Sequence, residues 1–141
     1  MSGYLLDTNC ISELVRIKPE PCVMSWMQAV DETLLYLSVL TLGEILKGLA
    51  GRPQGKRRTH LETWLVIELR ARFAGRILPI DVPVADRWGV LAATAKREGK
   101  TLSTIDALLA ATALQHNLTL VSRNVSDFAD TRVQVLNPWK A

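Results

Sequence analysis

The chain has 141 residues, 48% of them hydrophobic and 22% charged, with a net charge of +3 from 17 basic and 14 acidic side chains. That size and balance predict one domain, residues 1–141, burying a core without staples. The longest wholly apolar run, Ala107 to Ala111, is far short of the ~20 residues of a membrane span, so no membrane is expected.

Cys10 and Cys22 form neither a disulfide framework nor a CxxC pair, and read as two reduced thiols of a cytosolic protein. His60 and His116 stand alone, outside any ligand spacing, which argues against zinc. The basic excess lies entirely in residues 71–141, as suits a polyanionic partner without demanding one. The N-terminus has no basic segment and only three apolar residues in a row before Asp7, which is not the pattern of a signal peptide. The expected location is the cytoplasm.

In chain order, Tyr4–Leu6 predicts a first strand, Thr8–Val15 a short helix and Glu20–Val30 another, with Pro19 and Pro21 flanking its start. A second strand is expected at Leu34–Ser38. A helix follows from near Thr41, with Leu42, Ile45, Leu46 and Leu49 on one stripe. The stretch GRPQGKRR, residues 51–58, reads as a loop. A long helix to about Phe73 and a third strand within residues 76–81 come next. Pro83–Glu98 is a helix with Pro83 suited to its first turn and Gly99 to its C-terminal cap. Thr104–His116 is helical, Ala-rich and apolar nearly all round, hence buried, with Asn117 at its end. Residues 118–122 and 133–137 supply a fourth and a fifth strand. Strands alternating with helices predict an α/β protein whose parallel sheet is covered on both faces. Ligands of such sheets bind beyond the carboxyl ends of the strands.

Four acids stand at element boundaries: Asp7, Glu44, Asp106 and Asp127. Each has a local explanation. Asp7 or Thr8 can cap the next helix. Thr41 to Glu44 fits a capping box at the helix start, and Ser103 to Asp106 comes close to one. Asp127 can start a helical turn. Taken together they point elsewhere. A carboxylate opening the apolar helix at Asp106 is costly to bury unless it is paired, hydrogen-bonded or bound to a metal. If the first strand is central, the acids converge on one sheet edge and repel, and at least one pKa rises. A hard divalent ion with oxygen ligands, Mg²⁺ or Mn²⁺, is the simplest compensating charge, and it points to phosphate chemistry.

The stretches LLDTNCISEL, SVLTLGEILKG, FAGRILPIDVPVA, IDALLAATALQHNLTLVSRNVSDF and VLNPW resemble the PIN-domain nucleases. They are most similar to the FitB-like branch of the VapC-type toxins, over residues 4 to 139. The resemblance implies a three-layer α/β/α sandwich with a mostly parallel five-stranded sheet. It also implies a Mg²⁺-dependent ribonuclease in which a metal-activated water attacks the RNA phosphodiester. Carried over by position, Asp7, Glu44, Asp106 and Asp127 are the acidic site, with Asp7, Glu44 and Asp106 holding the metal. Thr8, Asn9, Thr41 and Ser122 match polar residues around it. Some FitB-like members carry an acid directly after the Ser/Thr-Arg pair. Here that position is Asn124, and the acid follows as Asp127, so either can fill the fourth place.

The family further implies a VapB-like antitoxin, a homodimer within a larger toxin–antitoxin assembly, and operator DNA bound only through the antitoxin. Arg52, Lys56, Arg57 and Arg58 are either an RNA-backbone contact or a solvated loop. The four tryptophans are expected in the core or an interface. A haloacid-dehalogenase phosphatase is disfavoured because its second acid is here Asn9, and a receiver domain because Asp7 has no acidic neighbour. The rival from another class is a PIN-like module that has lost catalysis and serves only to bind, regulating a nucleic-acid-binding partner.

Overall fold

The computed structural model describes residues 2–140; Met1 and Ala141, the two ends of the expected domain, lie outside the described residues. Five short strands, β1 (Tyr4–Leu6), β2 (Leu35–Ser38), β3 (Ile77–Leu78), β4 (Thr119–Val121) and β5 (Val135–Leu136), form one sheet. Their order is β3-β2-β1-β4-β5 and all four pairings are parallel. The expected sheet is therefore present, and wholly rather than mostly parallel. β1 is central, with Leu5 paired to Tyr36 on one side and to Leu120 on the other.

Alternation along β1 sends neighbouring side chains to opposite faces, so each face needs its own cover. Leu6, Leu35, Leu37 and Val121 pack beneath α1 (Thr8–Glu13), α2 (Pro21–Ala29), α3 (Val39–Ala50) and α4 (Lys56–Thr63) with its continuation. That continuation is a π-helical segment, Trp64–Leu69, and a last turn, α5 (Arg70–Arg72). Leu5 and Leu120 face the other way, onto the buried Leu109, Ala110 and Ala113 of α7 (Thr104–Gln115) and Phe128. α6 (Val82–Arg97) lies against α7. The result is three layers, α/β/α. Among the described residues no helix is long and apolar enough to cross a membrane.

Several boundaries differ from the sequence expectation, each for a local reason. α3 begins at Val39, because the Ser38 hydroxyl caps it by accepting from the Leu40 N–H at 3.0 Å. Thr41 to Glu44 is therefore no capping box, and Glu44 lies beyond the first turn. The buried stripe of α3 is Thr41, Ile45 and Leu49, while Leu46, expected inside, is 45% exposed. Lys56, Arg57 and Arg58 lie in the first turn of α4 rather than in a loop. Asp81 is not part of a strand: its carboxylate caps α6 through the Val84 N–H. Gly99 and Asn117 end α6 and α7 at φ of 68° and 54°. In both, the next N–H reaches back to a carbonyl inside the helix, Lys100 to Ala95 and Leu118 to Ala113.

Candidate active site

In a parallel sheet all carboxyl ends lie at one edge. The chain runs outward one way through β1, β2 and β3, and the other way through β4 and β5, so the switch point lies between β1 and β4. Asp7 follows β1 and Ser122 follows β4, and the two meet there. The Asp7 N–H continues the ladder to the Val121 carbonyl at 2.9 Å. The Ser122 hydroxyl donates to Asp7 Oδ2 at 2.7 Å, and the Thr8 N–H donates to Oδ1 at 2.7 Å. Asp7 does cap α1, and it also stands buried at the switch point; the two roles coexist.

Thr8, Glu44, Asn9 and Asn124 are hydrogen-bonded around this pair. Thr8 Oγ1 donates to Glu44 Oε1 at 2.6 Å, joining α1 to α3. Asn9 Nδ2 donates to Ser122 Oγ at 3.3 Å, and the Asn124 N–H donates to the same oxygen at 3.0 Å. Ser122 is thus a buried hub between Asp7, Asn9 and the loop after β4. Asp106 sits in the first turn of α7, where Ser103 Oγ accepts its N–H at 3.1 Å, so the near-capping pattern forms in one direction. Asp127 lies on a short 3₁₀ turn, Val125–Phe128. Thr41 is fully buried on α3, and its hydroxyl finds no partner among the described residues.

The acids feel one another's charge. Burial raises the Asp7 carboxyl above its usual range, against the pull of Ser122 and Thr8; the charges of Glu44 and Asp106 raise it further. Burial also raises Asp106, with Ser103 opposing and with Asp127 and then Glu44 adding repulsion. Asp127 adds its charge to that felt by Asp106, while Asn124 enters through its backbone N–H to Ser122. Among the described residues no three acids, histidines or cysteines stand close enough to cage an ion unaided. The donor set is still all oxygen, since both histidines are exposed elsewhere and the Cys10 thiol donates to the Val121 carbonyl at 3.2 Å. Oxygen ligands whose charges repel suit in kind a hard divalent ion such as Mg²⁺ or Mn²⁺, which keeps part of its water shell.

The basic residues divide. Arg52 and Arg57 line a groove of about 580 Å³ together with Thr8 and Glu44, over a floor that includes Ile45, Leu49 and Trp64. Arg57 also donates to the Val15 carbonyl at 2.7 Å. Arg16, which the sequence reading passed over, joins the same groove. Its only signal was a place in the turn after α1, three residues beyond Glu13, with which it pairs at 3.3 Å. Lys56 and Arg58 line a separate depression, and Arg58 is engaged by Glu62 at 2.8 Å.

A parallel α/β/α sandwich with a buried carboxylate, Asp7, at its switch point is the architecture the comparisons place in a family. Residues 4–133 match the PIN domain, and the chain belongs to the PIN-domain family. The protein named Toxin FitB of Neisseria gonorrhoeae is 40% identical over 135 residues, 96% of this chain and 97% of that one. The VapC ribonuclease Y4jK of Sinorhizobium fredii is 39% identical over 136 residues, again 96% and 97%. A solved structure of FitAB bound to an IR36 DNA fragment contains a chain with 38% identity and a TM-score of 0.90, covering 96% of this chain and 95% of that one.

Proposed function

We propose that this chain is the toxin of a type II toxin–antitoxin pair and acts in the cytoplasm as a Mg²⁺-dependent ribonuclease, with Mn²⁺ a possible substitute. The observation that carries the reading is the Asp7 carboxylate fixed by Ser122 at the switch point, with Glu44 and Asp106 near enough to raise its pKa. The names of the relatives, a VapC ribonuclease and a FitB toxin, support it. So does the likeness to a chain of the FitAB–DNA structure, which favours a VapB-like antitoxin partner, a homodimer in a larger assembly, and operator DNA held through the antitoxin.

Asp7, Glu44 and Asp106 would hold the ion. When bound, Mg²⁺ supplies Lewis-acid polarisation of a phosphate oxygen and lowers the pKa of a water. The protein's own part is orientation. Ser122 and the Thr8 N–H fix both Asp7 oxygens, and the Thr8 hydroxyl fixes one Glu44 oxygen. Asp127, whose charge reaches Asp106, would orient the ion's water shell or contribute to a second site.

The test is RNA cleavage by the partner-free chain in Mg²⁺ or in EDTA, beside Asp7→Asn. Cleavage is expected only for the unaltered chain with Mg²⁺. Cleavage that persists in EDTA or in Asp7→Asn refutes the mechanism. RNA left intact under every condition favours a PIN-like module that only binds.

A further inference from the structure

The loop after β4 does more than deliver Ser122. It forms one wall of a second cleft, about 920 Å³, that the acidic residues do not line. Arg123 is held there at its backbone and at the end of its side chain. Its N–H donates to Asn9 Oδ1 at 3.4 Å, and its carbonyl accepts from Asn137 Nδ2 at 3.5 Å. Its guanidinium lies over the Trp139 ring, 5.6 Å from the centroid. Asn137 Oδ1 in turn accepts from the Trp139 N–H at 2.9 Å, so the chain after β5 is tied to the chain after β4. Lys140 lines the same cleft.

No carboxylate among the described residues pairs with Arg123 or Lys140. Glu20 is the one acid in the lining. Two cations against one acid leave the described lining net positive. An aromatic ring under a planar cation, with a second cation beside it, is the composition that takes a nucleotide: a base stacks on the ring or the guanidinium, and its phosphate meets the positive charge. The cleft begins at the residue next to Ser122, whose hydroxyl holds Asp7. A strand lying across Asp7 therefore has this cleft beside it.

We propose that the Arg123–Trp139–Lys140 cleft is a subsite for single-stranded RNA, seating a nucleotide that flanks the scissile phosphate. The inference rests on the ribonuclease reading and deepens it. It assigns to Trp139, expected only to pack, a second task, since its ring also packs against the core.

The test uses the full chain carrying Asp106→Asn to silence cleavage, a fluorescein-labelled single-stranded RNA, Mg²⁺, and a salt series. Adding Arg123→Gln and Lys140→Gln should weaken binding about tenfold at low salt and flatten the log Kd against log salt slope by about one unit. Arg97→Gln, on α6 away from the cleft, serves as the control for loss of a surface charge. RNA should quench part of the tryptophan fluorescence, and Trp139→Phe should remove that part. If Trp139→Phe does not fold, the Arg123 and Lys140 variants still decide.

Unchanged affinity and slope in those variants overturns the subsite while leaving the nuclease reading in place. If the unaltered chain does not cut RNA and the Asp106→Asn chain does not bind it, both fall. If the variants keep RNA but lose a co-purifying antitoxin, the cleft belongs to the protein partner and the proposal is wrong.

Discussion

Ser122→Ala removes one oxygen from the centre of the site. Three bonds end on it: the 2.7 Å donation to Asp7 Oδ2 and the acceptances from Asn9 and the Asn124 N–H at 3.3 and 3.0 Å. The last two partners are part-exposed, so water replaces Ser122 for them at small cost. The first bond is made by a fully buried hydroxyl to a buried carboxylate, and bonds to charged groups contribute about 1.5–3 kcal/mol. Alanine leaves nearly the same volume, so no cavity term is added. The expected loss is about 2 kcal/mol near neutral pH. At roughly 3–4 °C per kcal/mol for a domain of this size, Tm falls by about 6–8 °C.

The pH dependence gives the sharper test. The Ser122 bond favours ionised Asp7 and opposes the rise that burial causes. Without it the Asp7 pKa climbs further above its ordinary 3.8. The extra stability of the unaltered chain is thus fully present where Asp7 is ionised in both proteins. It is lost as pH falls from the variant's higher Asp7 pKa to that of the unaltered chain, below which both are protonated there. Urea unfolding of both proteins, metal-free, from neutral pH into mild acid measures this directly. A gap that stays constant across that range, or no gap at neutral pH, refutes the assignment of Ser122 as the support of an ionised Asp7.

Thr8→Val deletes the 2.6 Å bond to Glu44 while keeping the side chain's shape. Supports of this kind cost about 10–100-fold in metal affinity or activity. A Mg²⁺ titration of RNA cleavage should show that loss with the Tm little moved. Asp106→Asn acts on the metal-free fold in a definite direction. A raised native pKa means the folded chain binds more protons than the unfolded chain between the two pKa values, so stability falls as pH rises through that window. The variant should show a shallower fall by urea titration. Burial raises the Cys10 thiol pKa far above the ordinary value, so Cys10 should resist alkylation in the folded chain while the half-buried Cys22 reacts, as mass spectrometry of iodoacetamide-treated protein would report.

The central architecture was readable because alternating strand and helix patterns leave few arrangements. The buried Leu5 and Leu6, with Asp7 directly after them, place an acid at a strand's carboxyl end, and parallel pairing then puts that end beside Ser122. The boundaries were less readable. β3 shrinks to Ile77–Leu78 because it is an edge strand and Pro79 offers no N–H to extend it. The start of α3 was misplaced because two hydroxyls, Ser38 and Thr41, both suit a cap, and only tertiary burial of Thr41 chooses between them.

The π segment had no Gly or Pro to announce it. Its reason lies in spacing: Leu61, Leu65, Leu69 and Phe73 are all buried at four-residue steps. An α-helix overshoots one turn by about 40° at each such step, carrying the stripe off the core. The wider turns of Trp64–Leu69 bring it back. In the site, the four acids were legible as residue types at boundaries. The Ser122 hub was not, because its bonds to Asp7, Asn9 and Asn124 depend on β1 and β4 being neighbours across more than a hundred residues of chain.

The most direct measurement is Mn²⁺ binding to the partner-free chain without RNA, followed by electron paramagnetic resonance of the free ion. The unaltered protein should bind Mn²⁺, Mg²⁺ should compete for the same site, and Asp7→Asn and Asp106→Asn should each abolish or strongly weaken binding while remaining folded. Equal binding by the unaltered chain and both variants would contradict a cation site built on these acids, as would a folded, unaltered chain that binds no Mn²⁺ at all.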